Sequence, residues 1–296
     1  MTASGVPLQI PSRLGSYTVL TALDGDALST VAERRYIARS HDGNRTVVVA
    51  LPPIGADHAR WAAEATTARG LALPGLLPIA ELDTSPTLPW YGAEYRPLLA
   101  LPTVLGAHGG PLPDHTVRAL GASLASSLAL AHAQGVTHAG LSPEAVLLGM
   151  EGPRISCFGA ARAAAPDGVA RSGIPWLNPS CLAPEQASGG RPRPPGDVFA
   201  LGAVLSYAST GHTVPEFGEL PVSLRSPVSR CLSRDAAQRP QASHLAKELA
   251  GSTAAAPGAT VLDVSAPVPL PGKVIAALAR QSAALLAAEI RLDSRI

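Results

Sequence analysis

Lysine is almost missing from this chain. It occurs only at Lys247 and Lys273, both late in the 296 residues. The remaining basic residues are arginines, and 23 Lys+Arg stand against 22 Asp+Glu, for a formal net charge of +1. So small an excess gives no electrostatic footing on nucleic acid or an anionic membrane. Cysteine is scarce: Cys157, Cys181 and Cys231 lack a paired spacing, which argues against a metal knuckle and for a reducing compartment. Long apolar runs are also absent. The best candidate, residues 274–290, is broken by Arg280 and Gln281, so no membrane span is expected. Residues 1–9 have neither a basic head nor an apolar run, so no signal peptide is expected. Together these absences predict a cytoplasmic protein.

What is present suits one large domain or two lobes, and a chain of this length buries roughly 75% of its unfolded surface. Residues 1–15 read as a leader. Residues 16–20, 35–39 and 45–51 read as strands, the last two joined by the polar turn His41-Asp42-Gly43-Asn44. Residues 57–71 are rich in Ala and predict a helix capped by Asp57. Residues 76–82 and 90–95 predict two more strands, and residues 97–102 a connector. Helices follow. Residues 114–134 carry Val117, Leu120, Leu124, Leu128 and Ala131 at helical spacing, with Gly135 as the stop. Residues 198–210, 227–232 and 242–249 predict further helices. Residues 251–271 form a Ser/Ala/Pro-rich linker, and residues 272–296 carry a final amphipathic helix that could dock back or self-associate.

The stretch His138-Ala139-Gly140-Leu141-Ser142-Pro143-Glu144-Ala145-Val146-Leu147-Leu148 is the most informative. It resembles the catalytic loop of Ser/Thr protein kinases, H-R-D-L-K-P-x-N-V-L-L. Cys157-Phe158-Gly159 stands where those enzymes have D-F-G. Ala183-Pro184-Glu185 resembles A-P-E, Asp197-Val198-Phe199-Ala200-Leu201-Gly202 resembles D-V-W-S-L-G, and Arg239-Pro240 resembles the late helical arginine. The resemblance covers residues 17–249 and is closest to bacterial kinases of the receptor type. It implies an α+β, bilobal protein-kinase-like fold, with a small β-rich N-lobe (about residues 16–96) and a larger helical C-lobe (about residues 97–250). The observed order, strands with one helix among them and then a helical half, agrees with this.

The resemblance separates what is kept from what is lost. Kept are anchors of the skeleton: Glu64, His138, Phe158, Gly159, Glu185, Asp197 and Arg239. Family likeness implies a buried Glu185–Arg239 ion pair, whose rupture would cost roughly 3–5 kcal/mol, and an Asp197 carboxylate that braces the catalytic-loop backbone. Lost are chemical groups. Gly140 stands at the catalytic aspartate, Ala139 at the arginine, Ser142 at the lysine and Ala145 at the metal-binding asparagine; Cys157 replaces the metal-binding acid. The third-strand lysine falls at Ala50, or at Leu51 if the register slips by one, and no lysine in the first half can supply it. The Gly-rich loop is represented by Leu23-Asp24-Gly25-Asp26-Ala27-Leu28-Ser29, which keeps one glycine and adds two carboxylates where phosphates would lie. Losing a general base costs on the order of 10²–10⁴ in rate, and losing charge stabilisation a further ~10²–10³. From a kinase turnover of about 1–100 s⁻¹, useful phosphoryl transfer is not expected, nor is a nucleotide, metal or other cofactor.

Several residues carry two readings. Glu64 lacks its lysine, so it either meets an arginine or faces solvent beside Arg60. His138 and Cys157 form either a thiol–imidazole nucleophile pair or a packed ring and a small buried thiol. Asp24, Asp26 and Glu64 are either a cation site or solvated charges. Trp61 and Trp176 are either packed inside or part of a partner surface. Ser172 is the phosphorylatable residue of the activation segment, but Ala139 removes the usual phosphate partner. The expected function is that of a pseudokinase that binds another protein, an active kinase or its substrate, as scaffold, decoy or allosteric regulator. An atypical nucleotide-binding transferase, or a residual Ser/Thr kinase, is the alternative.

Overall fold

The computed structural model describes residues 12–23, 31–71, 73–216, 218–251 and 268–293, with side chains as far as residue 288. The loop at residues 24–30 and most of the linker, residues 252–267, lie outside them. The first half is an antiparallel sheet in the order β1-β2-β3-β4-β6-β5. Its strands are β1 (Arg13–Leu14), β2 (Tyr17–Ala22), β3 (Arg34–Ser40), β4 (Thr46–Leu51), β5 (Glu81–Asp83) and β6 (Trp90–Glu94). β4 is apolar on both faces, because Val47 to Leu51 are all buried at the centre of the sheet. The β3–β4 turn is closed by Asp42, whose carboxylate accepts from the Ser40 hydroxyl at 2.5 Å and the Asn44 N–H at 3.1 Å. Helix α1 (His58–Leu71) follows β4. Asp57 caps it by accepting the Arg60 N–H at 3.0 Å, and Trp61 and Ala65 turn inward.

The stretch 76–82 is a strand only at its end. Leu76 bridges Ile155 in parallel, and the Leu77 N–H donates to the Ile155 carbonyl at 2.9 Å. Pro78 has no N–H to continue a ladder, so regular pairing resumes only at Glu81. The segment at 97–102 is also more ordered than a plain connector. It forms β7 (Leu99–Ala100) and opens α2 (Leu101–His108), with Pro102 in the first turn.

The second half is helical. Helix α3 (Asp114–Ala133) runs through its centre, packed against α6 (Pro194–Thr210) and α8 (Ala242–Ala250). Gly121 permits that approach, since a Cβ there would come within 2.8 Å of both Leu205 and Leu249. A small antiparallel sheet, β7-β8-β9, with β8 (Val146–Gly149) and β9 (Gly152–Ile155), lies at the lobe boundary. Two short helices, α4 (Ala160–Ala164) and α5 (Pro184–Ala187), flank the segment that follows β9. Helix α7 (Val222–Cys231) starts ahead of residue 227 and keeps Pro227 inside it, because Leu224, Pro227, Val228 and Cys231 make one buried stripe.

The last helix, α9 (Gly272–Asp293), docks on its own chain. Val274 and Leu278 enter the C-lobe core, and the helix lies against α2 at one end and β2 at the other. It therefore spans both lobes. Among the described residues no helix is long and apolar enough to cross a membrane.

Candidate functional site between the lobes

The frame of the site is a set of satisfied polar groups. Asp197, in the first turn of α6, is buried. Its carboxylate accepts the N–H groups of His138 at 2.7 Å and Ala139 at 2.8 Å, and meets His132 Nε2 at 2.9 Å. These bonds hold a strained backbone: Ala139 and Cys157 have φ of 56° and 61°, a region that costs a side-chain-bearing residue about 1–3 kcal/mol. Glu185 and Arg239 meet as a fork, with Nη1–Oε1 at 2.6 Å and Nη2–Oε2 at 3.0 Å. The guanidinium also donates to the carbonyls of Ser233 and Pro195 and lies 5.0 Å over the Phe199 ring. Burial pushes the Glu185 carboxyl up, but Arg239 more than offsets this and leaves it below the usual range.

Inside this frame the centre is largely apolar. Ala145, Cys157 and Ala160 form one buried apolar cluster with Ala32, Trp176 and Leu177. Ala145 and Cys157 thus share a buried cluster with an indole. Gly140 is closed over as well: a Cβ there would lie 1.9 Å from the Cys157 carbonyl oxygen. Two water-sized voids border the cluster. One, of about 30 Å³, is lined by Gly140, Ser142, Ala160, Trp176 and Asp197 among others. The second, of about 20 Å³, lies behind it between Glu33, Tyr91, Cys157 and Phe158. Ligand pockets for drug-sized molecules are typically about 300–1,000 Å³.

His138 and Cys157 do not form a nucleophile pair. Neither ring nitrogen of His138 has a hydrogen-bond partner, and the ring packs edge-on against Phe158 at 5.6 Å. Burial holds its pKa down at about 4, so the imidazole is neutral at pH 7.

The lysine position is rebuilt across three strands. Ala50 pairs directly with Arg35 of β3 and Tyr91 of β6, which places the three side chains in a row on one face. Arg35 is fully buried. Its guanidinium donates to Ser156 Oγ at 2.7 Å and to the Glu144 carbonyl at 2.8 Å. The Tyr91 hydroxyl donates to the buried Glu33 carboxylate at 2.7 Å. Burial raises the Glu33 pKa, against the pull of Tyr91 and Arg35. A long side chain at Ala50 would have to enter this packed row.

Glu64 meets an arginine. Arg162, just after Cys157-Phe158-Gly159, places Nε 2.9 Å from both carboxylate oxygens and Nη2 2.7 Å from Oε2. Gly159 lies under that pair, with φ of 73°, and a Cβ there would lie 2.1 Å from Glu64 Oε2. Arg162 also lies 4.9 Å over Phe158.

The activation segment is tied down by Arg171. Its buried guanidinium donates to the carbonyls of Ala161, Ala165, Gln186 and Gly190 and to Asp167. Ser172, next to it, is exposed. The two tryptophans considered for a partner surface are interior. Trp176 is 6% exposed, and Trp61, 5% exposed, stacks on Tyr91 at 5.6 Å; both rings fill gaps left by small neighbours. Asp24 and Asp26 lie outside the described residues, so the Gly-rich loop and the cation reading are not placed. Sequence reasoning missed Arg35, Arg162 and Arg171. The one available signal was Arg35 next to the apolar run Tyr36-Ile37-Ala38 of a strand, where a charge calls for a partner.

No family model matches the chain. In sequence it is 31% identical over 262 residues to the "Probable serine/threonine-protein kinase PkwA" of Thermomonospora curvata, a match that covers 81% of this chain and 34% of that protein. It is 30% identical over 264 residues to the serine/threonine-protein kinase AfsK of Streptomyces coelicolor, covering 81% of this chain and 32% of that one. The chain thus spans about a third of the length of these curated relatives. Among solved structures, the kinase domain of Mycobacterium tuberculosis PknI superposes with a TM-score of 0.60 at 19% identity, covering 81% of this chain and 98% of that one. The fold is that of a protein kinase. The sequence is homologous to bacterial Ser/Thr protein kinases, and the two halves described above are the N-lobe and C-lobe of that fold.

Proposed function

We propose that this kinase-fold chain is a pseudokinase that acts in the cytoplasm by binding another protein, an active kinase or its substrate, as scaffold, decoy or allosteric regulator. One observation carries the reading. Ala145 and Cys157, at the positions that would hold metal ions, lie in an apolar cluster with Trp176. Mg²⁺ takes hard oxygen donors, and a methyl group and a buried thiol supply none. Gly140 has no base to offer, and the space for one is taken by the Cys157 carbonyl. Phosphoryl transfer depends on positioning and charge stabilisation, and among the described residues Gly140, Ala145 and Cys157 carry no group that supplies either. The three cysteines are buried thiols, which suits a reducing compartment. Fold likeness alone does not assign activity, so the relatives' kinase names describe those proteins.

The test is transfer. Purified protein incubated with labelled ATP, Mg²⁺ or Mn²⁺ and generic protein substrates is expected to incorporate nothing above a heat-treated control. Robust incorporation, lost in a variant of the cleft, would refute the reading.

The alternative, an atypical nucleotide-binding transferase or residual kinase, has one observation in its favour. Arg35 puts a cation directly across from Ala50, on the neighbouring strand. That guanidinium is spent on Ser156 and Glu144, however.

A further inference from the structure

Arg35 belongs to the N-lobe, but both of its described acceptors belong to the C-lobe. Ser156 follows β9, and Glu144 lies in the catalytic-loop stretch. Neither acceptor is loose. Ser156 donates both its backbone N–H, at 2.9 Å, and its hydroxyl, at 3.2 Å, to the Ala145 carbonyl. The guanidinium therefore grips a rigid piece of C-lobe backbone from within the cleft, fully out of water.

A second grip lies on the inter-lobe connector. The Gln281 side-chain amide of α9 accepts the Leu98 N–H at 3.1 Å and donates to the Leu98 carbonyl at 2.9 Å. It satisfies that residue as a neighbouring strand would. The Tyr95 hydroxyl reaches the same amide oxygen at 3.4 Å. Since α9 lies against α2 below the connector and β2 above it, its docking fixes the hinge as well as the helix. A hinge motion opening the cleft would break both grips, together with the Glu64–Arg162 fork.

We infer that Arg35 is an internal ligand: it joins the two lobes where a nucleotide would otherwise bridge them, and α9 locks the connector from outside, so the closed form needs no small molecule. The inference deepens the pseudokinase reading and rests on it to the extent that the cleft is taken to be free of nucleotide. A partner would then meet one fixed lobe arrangement, independent of nucleotide supply.

The experiment compares the full chain with Arg35→Met, which keeps length and removes the donors, and with Ser156→Ala and Gln281→Ala. Amide hydrogen exchange is followed at residues 95–101 and 142–158, with small-angle scattering for the overall dimensions. Arg35→Met should speed exchange in residues 142–158 by roughly tenfold or more, as expected for losing a charge-assisted bond, and increase the radius of gyration. Ser156→Ala should act in the same place more weakly, and Gln281→Ala at residues 95–101. Wild-type exchange and dimensions in Arg35→Met would overturn the inference. Should Arg35→Met fail to fold, unchanged exchange in Ser156→Ala overturns it instead. Thermal shift of the unaltered chain with Mg-ATP separates the two claims. A metal-dependent rise there contradicts the pseudokinase reading, whereas unchanged exchange in the variants contradicts only the latch.

Discussion

Asp197 and Cys157 stand for the two parts of the site, one in the C-lobe frame and the other at the cleft floor. Asp197 keeps a full set of partners: two backbone N–H groups and a histidine. Cys157 lies in an apolar cluster with the buried Glu33 carboxylate beside it, and its backbone has a φ of 61°. The frame thus keeps its polar bonds whole while small and apolar residues occupy the cleft floor. Retained strain at Ala139 and Cys157 argues that the shape itself has a use.

That contrast can be broken most severely at the frame. Asp197→Ala strips two buried N–H groups of their acceptor and releases the strain at Ala139, so a loss of about 3–5 kcal/mol is expected in urea unfolding. Arg239→Ala should cost about 3 kcal/mol. Glu185→Ala should cost at least as much, because it leaves the Arg239 guanidinium, whose side chain is 0% exposed, without its carboxylate. The double variant should lose less than the sum of the two, and additive, small effects would show that the fork contributes little.

Acid sharpens the comparison at His138. Its folded pKa of about 4 lies below the unfolded value of 6.5. The unfolded chain therefore binds the proton first as pH drops, and stability present above pH 6.5 is lost on the way down to pH 4. The full loss is about 3 kcal/mol. His138→Phe should abolish that part of the pH dependence. An identical slope in wild type and variant would show that the ring is not buried neutral.

The centre should resist restoration. Gly140→Asp forces a Cβ against the Cys157 carbonyl, and Cys157→Asp places a charge beside Trp176. Each should destabilise by about 1–3 kcal/mol. Ala50→Lys, Gly140→Asp, Ala145→Asn and Cys157→Asp together should still give no phosphoryl transfer, measured with labelled ATP. The smallest effect is expected at Ser172. Ser172→Asp should change the midpoint of thermal unfolding by less than about 1 °C, because Arg171 already holds the activation segment, whereas Arg171→Met should loosen it to proteolysis.

The frame was legible in the sequence because its motifs are spaced and mostly apolar or turn-forming. Pro143, Val146 to Leu148, Ala183-Pro184-Glu185 and the α6 start each constrain backbone shape locally. The candidate centre was legible only as a list of substitutions. What fills the vacated space was hidden, since an arginine in a strand or loop does not announce its acceptors. Arg35 and Arg162 find theirs about 120 and 100 residues away, beyond any local pattern, and Arg171 gathers carbonyls from both sides of the activation segment. The interior position of Trp176 was hidden for the same reason: its pocket is made of alanines from the N-lobe, the catalytic loop and α4. The short β5 was misjudged because the apolar run of residues 76–82 outweighed the breaker Pro78.

The most direct test of the central claim, that the cleft has become part of the core, is thermal unfolding of the full chain with ATP, with and without Mg²⁺ or Mn²⁺. At a nucleotide concentration 100-fold above a typical dissociation constant, a true site would add about 2.7 kcal/mol. The account predicts an unchanged midpoint under every condition; a rise that requires the metal would contradict it.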